Sequence, residues 1–294
     1  MHDLQQIAGA ACTVGESPLW HAADNAWYWT DIPARRIWRL DGGSGALTHW
    51  NTAEMVACFA PAAGGGWIAG METGVFSLQL DEDGSVAAER LAAPGELGAG
   101  MRFNDGRCDR QGRFWAGTMF MDMAAARAVG ALYRYDGAHG LSAPAVSELL
   151  TQNGLAWSPD GRTMYLSDSH PLSRTVWAFD YDTASGTPYN RRVFADMRSF
   201  AGRPDGAAID TDGCYWVAGN DGSCLLRFTP EGKLDREIAL PVAKPAMCSF
   251  GGPGMEWMLV TSIRPGDAPA ESPAGGVFLL RPGVRGVPDT PFAG

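Results

Sequence analysis

The sequence predicts an all-β fold, a six-bladed β-propeller with four-stranded blades and a metal site in its central channel. Three observations carry that expectation. Apolar and aromatic strand signals recur at Tyr28, Trp67, Trp115, Tyr165, Trp216 and Met258, roughly every 40–50 residues, which is the period of a blade of about four short strands. A tight-turn signal rich in Gly, Asn or Asp precedes the strand signals, and these residues tolerate positive φ at little cost. Four polar residues, Glu16, Asn104, Asn153 and Asp205, stand at nearly one phase, 12, 11, 12 and 11 residues before Tyr28, Trp115, Tyr165 and Trp216.

The units read in order along the chain. In the first, G-E-S-P-L-W leads through a turn at 22–25 to W-Y-W-T-D around Tyr28 and a third strand at 36–40. The second turns at 63–66 into G-W-I-A-G and continues at 74–80. The third carries R-F-N-D-G, a turn at 109–112, F-W-A-G-T at Trp115 and a strand at 131–135. The fourth begins N-G-L-A-W-S-P-D-G, turns at 159–161, and continues with M-Y-L-S-D and a strand at 175–180. The fifth runs from R-P-D-G-A-A-I-D through a turn at 212–213 to Y-W-V-A-G and a strand at 225–228. The sixth turns at 251–254 into M-L-V-T-S and reaches a strand at Gly276–Leu280, with 265–276 expected as a mobile loop. A fourth, weaker strand links each unit to the next. The stretch 4–8 precedes the first inner strand, so it is expected to close the ring as the outer strand of the last blade; an unclosed ring would expose a strand edge.

Composition agrees with one domain over 1–294. The chain has 294 residues, 46% hydrophobic, with 38 Gly, 19 Pro and 11 Trp, and no long amphipathic helical period. Aromatics at the strand phases read as inter-blade packing. A net charge of −10 repels phosphate backbones and anionic headgroups, so neither nucleic acid nor a membrane surface is an expected partner. The first residues lack a basic segment followed by an apolar one, and no apolar run reaches spanning length, so a cytoplasmic location is expected. Six Cys without a C-x-x-C pattern read as buried small hydrophobes, although Cys214 and Cys224 are placed to face each other across neighbouring strands. G-x-S-x-G and H-E-x-x-H do not occur, and Gly64–Gly66 precedes no helix. Asp81–Gly84 and Asp210–Gly213 read as turns rather than calcium loops, and His21 and His170 as surface or supporting groups.

The four phase-matched residues are what remains. Equivalent positions in radial repeats occupy equivalent places, so they converge on the channel axis. The same phases in units two and six hold apolar residues 55–56 and 246–247, so only part of the axis is polar. Two carboxylates and two amides give a charge of −2, which suits one divalent metal ion: Ca2+, Mg2+, Mn2+, Zn2+ or Fe2+, with oxygen-only ligation favouring the first three.

G-E-S-P-L-W, R-F-N-D-G, G-T-M, N-G-L-A-W-S-P-D-G, R-P-D-G and G-G-V-F-L-L-R-P-G-V-R-G together resemble the senescence-marker protein, gluconolactonase and luciferin-regenerating family, over Glu16 to Gly286. The resemblance implies a six-bladed propeller with a divalent metal at the channel mouth. It implies that Glu16, Asn153 and Asp205 are the metal ligands and that Arg102 and Asn104 face the substrate. Asp122 stands where relatives often have a Glu contacting a sugar hydroxyl, one methylene longer. The activity implied is hydrolysis of a sugar lactone to the aldonic acid, with metal-activated water and Asp205 as general base. The expected partner is a small-molecule sugar lactone, and the expected state a monomer or weak homo-oligomer. A non-catalytic calcium-binding propeller and a hydrolase of other esters or lactones are the alternatives; Phe120, Met121 and Met123 supply apolar surface for the latter.

Overall fold

The computed structural model describes residues 4–95 and 97–294. These residues form six antiparallel sheets, one per sequence unit. Blade 1 comprises Gly15–His21, Ala26–Asp31, Arg36–Asp41 and Leu47–Asn51; blade 2 comprises Val56–Pro61, Trp67–Met71, Val75–Leu80 and Val86–Ala92. Blade 3 comprises Met101–Cys108, Phe114–Phe120 and Gly130–Asp136, with an outer strand split into Gly140–Leu141 and Val146–Leu149, both paired to the third strand. Pro144 lies in the gap, where a missing N–H interrupts the ladder. Blade 4 comprises Gln152–Trp157, Thr163–Asp168, Thr175–Asp182 and Thr187–Asp196, and blade 5 Arg203–Ile209, Tyr215–Asn220, Cys224–Phe228 and Leu234–Ala239. Blade 6 comprises Pro245–Gly251, Trp257–Ser262 and Gly276–Leu280, and its outer strand is the N-terminal Gln5–Ala11, with Gln5 opposite Leu279. The ring therefore closes as the sequence predicts.

The first strand of each blade lies innermost, and successive innermost strands touch in a closed ring, that of blade 6 against that of blade 1. The hairpin turns carry the expected positive φ at Asn25, Gly66, Gly112, Gly161, Gly213 and Gly252. Aromatic residues fill the space between blades: Trp115 meets Trp157 and Tyr181, and Tyr165 meets Tyr215. All six cysteines are buried and free, so Cys214 and Cys224 are not bridged. The expected mobile loop of blade 6 is organised around Arg264, whose guanidinium donates to the carbonyls of Ser272, Ala274 and Pro269. Among the described residues no helix is long and apolar enough to cross a membrane.

The last segment crosses one end of the channel. Val287 N–H donates to Ile209 of blade 5, and Phe292 N–H to Pro61 of blade 2. Between them Asp289 lies 3.5 Å from Arg107 of blade 3 and accepts from Ser249 of blade 6, two blades on opposite sides of the ring.

Candidate metal and substrate site

Every innermost strand is broken at the same level. Pairing slips between Glu16 and Leu19, Val56 and Cys58, Phe103 and Gly106, Asn153 and Ala156, Pro204 and Ala207, and Pro245 and Cys248. A bulge leaves a residue unpaired and re-aims its side chain. Ser17 and Gly154 adopt positive φ there, 51° and 62°. Glu16 and Asn153 are the last paired residues before their bulges, opposite Thr30 and Ser167. Asn104 and Asp205 lie one step further, inside theirs. Counted to the second-strand residue that pairs first beyond each bulge, Tyr28, Ala116, Tyr165 and Val217, all four stand 12 residues upstream. Blades 2 and 6 place buried Ala57 and Ala246 in their bulges, so the polar lining belongs to blades 1, 3, 4 and 5.

The carboxylates brought here have few donors. Among the described residues Glu16 accepts one hydrogen bond, from Ser17 N–H at 3.3 Å. Asp105 accepts from Leu155 N–H at 2.8 Å through one oxygen, while its Oδ1 has no partner. Asp205 accepts from Asn220 Nδ2 at 2.5 Å. Asn153 Oδ1 is buried without a donor. All four residues are buried. Burial, followed by the charges of Asp205 and Asp105, pushes Glu16 well above the usual carboxylate range. Burial pushes Asp205 up to about 6, with Asp105 adding to the rise and Arg203 and the Asn220 hydrogen bond opposing it. Burial raises Asp105 as well, against the Leu155 N–H.

Arg102 supplies the opposing charge. Its Nη1 donates to Phe103 O at 2.7 Å and to Asn104 Oδ1 at 2.8 Å, so the two residues share a face as their spacing suggests. Asn104 Nδ2 donates to Gln152 O at 2.8 Å, which fixes the amide from both ends. The guanidinium is hydrogen-bonded to Asn104 rather than to Asp105 or Asp122, and it lies close enough to Glu16 and Asp205 to feel both charges. Asp122 is not drawn into this cluster. It is exposed on the loop after Phe114–Phe120, and its Oδ1 accepts from Ala124 N–H, capping a short 3-10 turn at Met123–Ala125. That turn is held by buried His170, whose Nε2 lies 2.9 Å from Met123 O while Nδ1 accepts from Leu172 N–H. Nε2 therefore carries the proton, and His170 supports the rim. His21 lies elsewhere, 2.8 Å from Asp24.

Two residues of the cluster escape sequence reasoning. Asp105 in N-D-G has the form of a turn residue, and only the bulge turns it inward. Asn220 follows Y-W-V-A-G directly, at a phase where blades 1 and 4 have Asp31 and Asp168. Those two aspartates accept from backbone N–H groups of Thr13 and Val14, and of Leu150, Thr151 and His170, whereas Asn220 turns to Asp205. A comparison of the six strand ends would have marked it as different.

Acids, histidines and cysteines alone make no three-membered metal cluster among the described residues, so a cation site here needs amide oxygen as well. The donor set fits that need. Asn153 Oδ1 lacks a hydrogen, and two buried carboxylates repel each other without a cation between them. Oxygen donors of this kind suit a hard divalent ion. A cleft of about 480 Å3 lined by Trp20, Trp27 and Trp257 contains none of these residues.

Comparison with known proteins agrees with the fold and the sequence motifs. The family model described as SMP-30/Gluconolactonase/LRE-like region matches residues 14–264. A 6-deoxy-6-sulfogluconolactonase of Pseudomonas putida is 39% identical over 297 residues, covering 99% of each chain. Regucalcin of Sus scrofa is 37% identical over 292 residues, covering 96% of each. A solved luciferin-regenerating enzyme superposes with a TM-score of 0.90 at 26% identity, covering 100% of each chain. The chain belongs to the SMP-30/gluconolactonase/LRE-like family.

Proposed function

We propose that this protein is a divalent-metal-dependent lactonase that opens an aldonolactone to the aldonic acid. The observation that carries the reading is the pairing of under-donated, buried Glu16 and Asp205 with the unpartnered Asn153 Oδ1, next to a guanidinium. Glu16, Asn153 and Asp205 would hold the ion. When bound, it supplies Lewis acidity toward a carbonyl oxygen and lowers the pKa of water. Asp205 gives one oxygen to Asn220, and the other, which would also face the ion, would accept the proton of an attacking water. Among the described residues Arg102 finds no acceptor for Nε or Nη2, so those donors would hold the lactone oxygens and the charge that develops on them. Asn104 keeps Arg102 aimed. Asp122, on the rim, meets the far end of a sugar rather than the reacting carbonyl. The sulfogluconolactonase relative supports a sugar lactone as the substrate class.

The regucalcins match over nearly the same length, which favours a second reading, a metal-binding propeller without turnover. Arg102 discriminates the two, because a structural ion gains nothing from a cation beside it. A panel of aldonolactones assayed by acid release, with chelator and with metal add-back, tests the proposal. Activity is expected to vanish on chelation and return with metal. Arg102→Ala should retain the metal by calorimetry yet lose about 100-fold or more in kcat/KM. Full activity after exhaustive chelation, or wild-type kinetics in Arg102→Ala, would overturn it.

A further inference from the structure

Asp205 is held by a chain of polar side chains that runs outward from the site. Asn220, fully buried at the end of Tyr215–Asn220, donates through Nδ2 to Asp205 Oδ2 at 2.5 Å. Its Oδ1 accepts from Arg203 Nη2 at 3.1 Å. Arg203 in turn donates from Nε to Asp221 at 2.8 Å and from Nη1 to Ser169 Oγ at 3.0 Å, and Lys244 pairs with Asp221. The orientation of the amide follows from chemistry. A guanidinium only donates and a carboxylate only accepts, so the oxygen of Asn220 must face Arg203 and its nitrogen Asp205.

We propose that Asn220 is a positioning residue for Asp205, and that Arg203 acts on Asp205 through it. Strand phase supports this. Arg102 and Arg203 both stand two residues before the bulged polar residue of their blades, yet Arg102 bonds its own Asn104 while Arg203 reaches across to Asn220. The position opposite Arg203 is Asn220, and the position opposite Arg102 is Met119, which cannot relay a hydrogen bond. Among the strand ends, Asp31 and Asp168 bond backbone instead. Blade 5 is therefore built to orient a carboxylate. With Oδ2 committed to Asn220, Oδ1 is the oxygen presented to the channel. Without Arg203, nothing prevents the amide from turning its oxygen toward Asp205, which would repel the carboxylate.

The effect on turnover rests on the lactonase reading; the effect on the carboxylate does not. Three measurements on the full chain separate them. Crystal structures of metal-free Asn220→Ala and Arg203→Met should show the Asp205 carboxylate turned from its wild-type plane; an unchanged carboxylate in Asn220→Ala overturns the proposal whether or not metal binds. Calorimetric titration with Mn2+ should give a Kd about tenfold weaker in each single variant, the scale of one charge-assisted hydrogen bond. The double variant should be no weaker than Asn220→Ala, because Arg203 acts through Asn220; additive losses overturn the relay. With a lactone, kcat should fall while KM stays within about twofold, a split that a general loss of stability does not produce. Weakened, non-additive Mn2+ binding without any lactone turnover would uphold the relay and sink the lactonase reading. Should alanine prevent folding, Asn220→Ser, too short to span both partners, serves the same comparison.

Discussion

Asp109 and Asp210 directly follow the innermost strands of blades 3 and 5, while Asp105 and Asp205 sit in the bulges of the same two strands, four and five residues earlier. All four are buried, and their surroundings are opposite. Asp109 accepts from the N–H groups of Gln111 and Arg113, from Arg113 Nε, from Trp115 Nε1 and from Tyr181 Oη. Asp210 accepts from the N–H groups of Asp212 and Cys214, from Trp216 Nε1 and from Arg227 Nε. Asp105 and Asp205 accept one side-chain or backbone hydrogen bond each. Depth of burial is thus no guide to role. A carboxylate saturated with donors fixes a turn, whereas one left short of donors keeps capacity for something that arrives later.

The same substitution at both places would break or sharpen this contrast. Asp205→Asn removes a ligand charge and the proposed base, so turnover should fall by about 10^2–10^4-fold, the range for loss of general acid–base catalysis. Its melting temperature without metal should hold or rise, because a buried repulsion is relieved. Wild-type turnover would refute the base. Asp210→Asn should do the reverse. It leaves Arg227 short of its buried partner and should lower stability by about 3 kcal/mol while Mn2+ affinity stays put, checked by denaturant unfolding and calorimetry. A loss of metal binding there would erase the distinction.

A smaller effect depends on pH. The folded, metal-free protein holds a proton on Asp205 up to about pH 6, against an ordinary value of 3.8. The folded state therefore binds more protons than the unfolded chain between those values, and the contribution of Asp205 to stability declines as pH rises through that window. Other carboxylates act in the opposite direction, so the clean quantity is a difference. Melting of metal-free wild type and Asp205→Asn should nearly coincide at pH 4 and separate by several degrees, with the variant more stable, by pH 7. Parallel curves would show that Asp205 is not under the strain its environment implies.

Much of this was legible in the sequence, and the reason is periodicity. Turns at Gly112, Gly161 and Gly213 and aromatic strands such as those at Trp115 and Trp216 announce blades because each blade must turn and pack in the same way. Glu16, Asn104, Asn153 and Asp205 stood out by phase for the same reason. Asp105 and Asn220 did not, because what sets them apart is which neighbour they reach: the bulge aims Asp105, and Arg203 orients Asn220. Asp122 was marked as a sugar-contacting position only by the family resemblance, and its hydrogen bond to Ala124 N–H belongs to a local turn that no repeat encodes.

The segment that passes beneath the ring also has a mechanical meaning. A hexagon joined only at its sides can shear into an oval without breaking any joint. A bar fixed to opposite sides forbids that. Asp289, held at once by Arg107 of blade 3 and Ser249 of blade 6, is a fastening of such a bar, and the contacts at Ile209 and Pro61 anchor its two ends. Triangulated in this way, the frame keeps a set distance between opposite walls, and four of the six walls carry the polar groups on which the chemistry depends.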